Sequence, residues 1–232
     1  MKGACAGNGY GGRIYGGETM ERRLRKIKAS KYPDISIGII PGHFATRHSH
    51  INYYVDLVSV ICSSQASQAA AKALVSRYVA STPVESIVCL DGCEVVAAFM
   101  TLEMSRKETR SVNAGTDISI VTPEVDSSGQ LILRDNTKHL IEDKNVMLLV
   151  AQATTGRTLE QAIDYIRYYG GRVSGICALF SAIQAVDGIP VNAIFTKDDI
   201  RDYETHEPDE CPACAAGNKI DAIVNNFGYS KL

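Results

Sequence analysis

Short apolar runs at residues 86–90, 117–121, 146–150, 173–181 and 191–195 alternate along the chain with longer stretches whose apolar residues recur at helical spacing. Residues 63–81 are Ala-rich, with Ala70, Ala73, Leu74 and Val79 placed for one buried face, and Pro83 ends the pattern. Residues 94–104 read as a second helix, and Leu159, Ala162, Ile163, Ile166 and Tyr169 mark a third. This alternation predicts an α/β fold with a central, mainly parallel sheet, helices on both faces, and any ligand over the carboxyl ends of the strands. The run at 146–150 (VMLLV) contains no polar residue, so it should be buried on both faces. Together with 86–90, 117–121 and 173–181 it is predicted as an inner strand.

Ahead of this core, residues 21–30 read as a short charged helix that Tyr32-Pro33-Asp34 breaks. Its basic residues Arg22, Arg23, Arg25, Lys26 and Lys28, with Lys31 after it, are expected on a solvated face. Residues 35–40 are apolar, Pro41-Gly42 turns the chain, and 43–56 (HFATRHSHINYYVD) supply two extended pieces around a polar turn in which His48 and His50 meet solvent. The pattern divides the chain into a flexible Gly-rich tail (1–19), an N-terminal helix and hairpin (20–62), the α/β core (63–200) and a C-terminal extension (201–232). Met20 is a candidate native start, with Gly16-Gly17-Glu18 as translated ribosome-binding sequence.

Composition narrows the function classes. A formal net charge of −2 over 232 residues argues against a general nucleic-acid binder. No apolar stretch approaches the roughly 20 residues of a membrane span. The seven cysteines are an odd number. Cys62, Cys89 and Cys177 lie in apolar surroundings, which suits a reducing cytoplasm better than a disulfide framework.

Candidate chemistry concentrates in three places. Thr154, Thr155, Gly156, Arg157 and Thr158 stand between the run at 146–150 and the third helix. Free amides at a helix N-terminus, three hydroxyls, a Gly permitting close approach and one guanidinium suit a phosphate. The same residues also make an ordinary strand-to-helix turn with Thr158 as N-cap. Asp91, Gly92, Cys93 and Glu94 follow the strand at 86–90, where Cys93 reads as a structural thiol at a helix start. Cys211-Pro-Ala-Cys214 has the spacing of half a zinc site, with His206 as third ligand and Cys93, His48 or His50 as fourth; the alternative is a pair of reduced thiols.

The sequence of apolar strand, TTGRT and amphipathic helix resembles the phosphoribosyl-diphosphate (PRPP) loop of the type I phosphoribosyltransferases, and the chain is most similar to the orotate enzymes. The resemblance implies that residues 154–158 bind a 5′-phosphate, that residues 91–94 form the diphosphate loop, and that residues 43–56 belong to an N-terminal hood. It further implies PRPP or a nucleoside 5′-monophosphate as ligand, magnesium with PRPP, a pyrimidine-type base and a homodimer. Two departures stand out. The family's adjacent acidic residues, which hold the ribose, are replaced by Val150 and Ala151, and where a Lys-rich mobile loop is expected, residues 122–133 hold Glu124 and Asp126 with no Lys or Arg. The resulting expectation is ligand binding with weak or lost transfer. A fully active enzyme using other charged residues and a non-catalytic structural or assembly protein are the alternatives.

Overall fold

The computed structural model describes residues 19–107, 110–126, 130–225 and 227–232. The Gly-rich segment before residue 19, with the question of the start, and residues 127–129 of the expected hairpin loop lie outside the described residues.

The chain opens with one helical turn, α1 (Met20–Arg23), followed by strands β1 (Arg25–Lys28), β2 (Ser36–Ala45) and β3 (His50–Asp56). The charged helix expected over 21–30 is therefore mostly a strand. Ile27 faces the core between solvated Lys26 and Lys28, and the strand pairs antiparallel with Ser36 to Ile39 of β2. A period of two with an available edge prevails over the helix propensity of Arg and Lys. Arg23 is not solvated either. It is buried, donates to the Pro41 carbonyl at 2.9 Å, and pairs with Asp221 at 3.1 Å.

Next come α2 (Val58–Ile61), α3 (Ser64–Val75), β4 (Ser86–Cys89) and α4 (Glu94–Ser105). They are followed by β5 (Ser119–Val121), the hairpin β6 (Glu124–Val125) and β7 (Leu131–Ile132), and then β8 (Asn145–Ala153) and α5 (Arg157–Tyr168). The core closes with β9 (Arg172–Ser181), β10 (Ala185–Val186) and β11 (Ile189–Thr196). The central sheet has the order β10-β11-β9-β8-β4-β5, with every pair parallel except β10 with β11.

β8 is central, as its uninterrupted apolar run required. Met147, Leu149 and Ala151 pack into the core beneath α3 and α4, while Val146, Leu148 and Val150 pack beneath α5. Residues 117–121 are a correction. β5 is the sheet's edge on that side, three residues long, and Ile120 is exposed. Cys89 and Cys177 are buried, whereas Cys62 is exposed just after α2.

The C-terminal segment adds β12 (Thr205–His206), α6 (Pro212–Ala215), β13 (Ala222–Asn225) and β14 (Gly228–Lys231). β12 pairs with β3, and β13 runs parallel to β2, so both chain ends share one sheet. Asp221 fastens this junction by accepting from Arg23 and from the His43 amide, while its own amide donates to the His43 carbonyl. A Cβ on Gly42 would stand 2.5 Å from Asp221 Oδ2, so the glycine at this irregularity in β2 is what lets the carboxylate approach.

Because Arg23 is sealed from water, Arg23→Met leaves the Asp221 carboxylate without its counter-ion, and stability should fall by about 2–4 kcal/mol. Urea unfolding reads the change. An unaltered midpoint would show that the junction does not depend on this pair.

Candidate functional site

The parallel strands β4 and β8 end side by side, and each delivers a turn to the same cavity. The Asp91-Gly92 turn after β4 has positive φ at both residues (61° and 76°). Such a backbone is strained for Asp and natural for Gly, and it brings the chain round sharply into α4. After β8, Thr154 and Thr155 bend the chain into Gly156, whose φ of 89° makes it the left-handed N-cap of α5. Thr158 is therefore the second residue inside the helix rather than its cap. At twelve residues, α5 carries a full macrodipole, and its first-turn amides have no partners within the helix.

The cavity has a volume of about 580 Å³. Its floor is formed by Cys89, Leu90, Gln152 and Ala153, and its walls by Asp91, Gly92 and Glu94 on one side and Thr154, Thr155, Gly156 and Thr158 on the other. Thr46, Arg47 and His48 of the β2–β3 turn, with Ile51 and Tyr54 of β3, supply a further wall. Val224, Asn225 and Phe227 enter from the C-terminus. Phe227 is 76% exposed, leaving a flat apolar face at the rim. Burial, then the charge of Asp56, lifts the Tyr54 phenol to about 12, so it is a neutral hydroxyl at physiological pH.

Of the residues expected to hold phosphate, Thr154, Thr155, Gly156 and Thr158 line the cavity. Arg157 does not. Its guanidinium points to the C-terminal segment and meets Glu207 at 2.9 Å, in a pair about half exposed on each side and so worth little to stability. Asp91, Gly92 and Glu94 reach the cavity, but Cys93 is fully buried in the core, where desolvation pushes its thiol far up and leaves it protonated. Val150 and Ala151 are both fully buried, on opposite faces of β8. Carboxylates introduced there would enter two apolar cores instead of facing a ribose.

The β6–β7 hairpin, where the mobile loop was expected, presents Val125 and Leu131 to the cavity. Glu124 faces Arg134 just beyond it. Arg47 is the cation that sequence reasoning missed, because a lone Arg in a polar turn carries no motif.

A second constellation lies behind the β2–β3 turn. His43, His50, Cys211 and Cys214 bring one donor atom each to within 4.8 Å of one another. His206, the expected third ligand, is absent from this group and has its Nε2 3.1 Å from Glu204 Oε2 instead. Of the three candidate fourth ligands, Cys93 and His48 are absent and His50 is present; it is buried rather than in solvent. Desolvation, followed by the charge of His43, holds the His50 imidazole below its ordinary value. His43 escaped notice because Pro41-Gly42 reads as a turn, whereas the chain continues through it as a strand and carries His43 inward.

No protein-family profile matches the sequence, and no curated protein matches it. Solved structures do resemble the fold. A phosphoribosyltransferase from Corynebacterium diphtheriae is 19% identical, covering 70% of this chain and 90% of that one at a TM-score of 0.48. Orotate phosphoribosyltransferase of Mycobacterium tuberculosis is 16% identical over 75% and 96%, at 0.49. UMP synthase of Leishmania donovani is 16% identical over 68% of this chain and 33% of that one, at 0.50. Such identities speak for the fold alone. With the mainly parallel central sheet, the likeness to the UMP synthase chain at a TM-score of 0.50 supports a phosphoribosyltransferase-like α/β fold.

A Cβ at Gly156 would sit 3.0 Å from Ile183 Cδ1 and 3.3 Å from Val186 Cγ2, on a backbone that L-residues avoid. Gly156→Val would therefore disturb the turn itself. Even Gly156→Ala should cost about 1–3 kcal/mol. Equal urea midpoints for this variant and the parent would contradict the left-handed turn.

Proposed function

We propose that the cavity binds a phosphoribosyl ligand, either PRPP or a nucleoside 5′-monophosphate, and that transfer to a pyrimidine-type base is weak or lost. The supporting observation is the convergence of the threonine turn at the N-terminus of α5 with the Asp91-Gly92 turn and the β2–β3 turn on one cavity. The α5 amides and the hydroxyls of Thr154, Thr155 and Thr158 suit the 5′-phosphate, and Arg47 across the cavity adds positive charge. Phe227 offers the surface on which a base can stack.

The carboxylates Asp91 and Glu94 fit a divalent cation better than a bare diphosphate, and they are the residues that would hold magnesium if PRPP brings it. A bound magnesium ion supplies charge neutralisation for the diphosphate.

Catalysis of phosphoribosyl transfer requires negative charge near a ribose that becomes cationic and positive charge near the departing diphosphate. Neither requirement is met by the groups that the resemblance implies. The residues aligned with the family's acidic pair are sealed in the sheet, and among the described residues lining the cavity there is no lysine. Each deficiency is worth about two to three orders of magnitude in rate.

Calorimetric titration with PRPP, orotate and the monophosphates of uridine, cytidine, adenosine and guanosine, with and without magnesium, tests the binding reading. At least one phosphoribosyl ligand should bind, and Thr155→Val together with Thr158→Val should weaken it by about tenfold or more. Binding that is indifferent to both substitutions would refute the assignment. For turnover, orotate consumption at saturating PRPP and magnesium should run about a thousandfold or more below a competent enzyme. Robust activity would mean that other groups replace the missing charges.

A further inference from the structure

The group His43, His50, Cys211 and Cys214 goes beyond the phosphoribosyl reading, because its donor atoms do not belong to the cavity and its chemistry is of another kind. Four of its six donor separations have the dimensions of a coordination sphere, and all six lie within 4.8 Å. His43 Nε2 lies 3.2 Å from His50 Nδ1, 3.4 Å from Cys211 Sγ and 3.6 Å from Cys214 Sγ, and Cys214 Sγ lies 3.3 Å from His50 Nδ1. Tetrahedral zinc with ordinary bond lengths requires donor separations of about 3.3 Å between nitrogens and about 3.6 Å between nitrogen and sulfur. His43 Nδ1 faces the carbonyls of Asn218 and Lys219, both at 3.2 Å. Carbonyls only accept, so Nδ1 carries the proton and Nε2 presents its lone pair to the group, the outer-shell arrangement of a metal-ligating histidine. His43, His50 and Cys211 are buried, and a closed set of two thiolates and two imidazoles is a structural rather than a catalytic donor set.

We propose that these four residues bind one zinc ion, which clasps the β2–β3 hairpin to the C-terminal segment and thereby holds one wall of the ligand cavity. Both thiols ionise on binding and release their protons, while His43 keeps the proton on Nδ1. The clasp bears on the cavity through short connections. His43 and His50 bracket the turn that places Thr46, Arg47 and His48 on the cavity, and Cys211 stands four residues after Glu207, the partner of Arg157. The link to ligand affinity rests on the phosphoribosyl reading. The metal site does not.

The test uses the full chain, purified under reducing conditions without a polyhistidine tag. Elemental analysis should give about one equivalent of zinc, and cobalt(II) replacing it should show the intense visible bands of a tetrahedral site together with a thiolate charge-transfer band. Cys214→Ser and His43→Ala should lose the metal, whereas His206→Ala should keep it. Removal of zinc by a chelator should lower the thermal midpoint, and zinc should restore it.

Less than about a tenth of an equivalent after reconstitution, with no cobalt bands in the parent protein, would overturn the site even if the variants fail to fold. Loss of metal in His206→Ala with retention in His43→Ala would overturn the ligand set. For the clasp, uridine monophosphate, or whichever monophosphate binds tightest, should lose about fivefold or more in affinity when zinc is removed. Equal affinities would overturn the coupling, and failure of PRPP and of every monophosphate to bind the zinc-loaded protein would overturn the phosphoribosyl reading and leave the metal site standing.

Discussion

β8 is held on both sides by parallel ladders, to β4 and to β9, and buried on both faces, so its side chains have no freedom to serve the cavity until the strand ends. That constraint fixes the chemistry available. The strand runs to Ala153, three residues beyond the fully apolar stretch, and Gly156 then takes a left-handed conformation to release α5. Everything that reaches the cavity from this element comes from Gln152 onward: an amide, hydroxyls and helix amides, all suited to an anion. Charged residues two positions earlier would cost several kcal/mol in desolvation unless paired. The strand that delivers the threonine turn to the cavity therefore also keeps carboxylates away from it.

The rest of the cavity is assembled from distant parts of the sequence. The β2–β3 turn and the C-terminal strands form one sheet, fastened at Asp221 by a buried guanidinium and by the backbone of His43. His43 thus takes part in two linkages, through its main chain to Asp221 and through its ring to the cysteine pair. Arg157 and Glu207 add a weaker, exposed contact between the start of α5 and the C-terminal segment.

Much of this was legible in the sequence, and the limits have physical reasons. Periodicity located the inner strands and the helices α3, α4 and α5, because each buries a continuous face against the sheet. It misplaced residues 117–121, since a three-residue edge strand and an inner one share the same apolar content. It read Arg25 to Lys28 as helix, because the partner strand that stabilises the extended form is invisible locally. TTGRT was legible as a cavity-lining turn, yet the direction of the Arg157 side chain depended on Glu207, fifty residues away. The cysteine spacing pointed to one half of the His/Cys group. Of the other half, His50 was already among the candidate fourth ligands, whereas His43 required knowing that the C-terminal strands pair beside β2 and β3 in one sheet.

The most direct test of the central claim is amide hydrogen exchange with and without a saturating nucleoside 5′-monophosphate. The account predicts new protection at the amides of residues 155–159, at the start of α5, and at residues 46–48 across the cavity, with little change at the already buried β8. Saturable binding that leaves residues 155–159 unprotected while protecting another surface would contradict it.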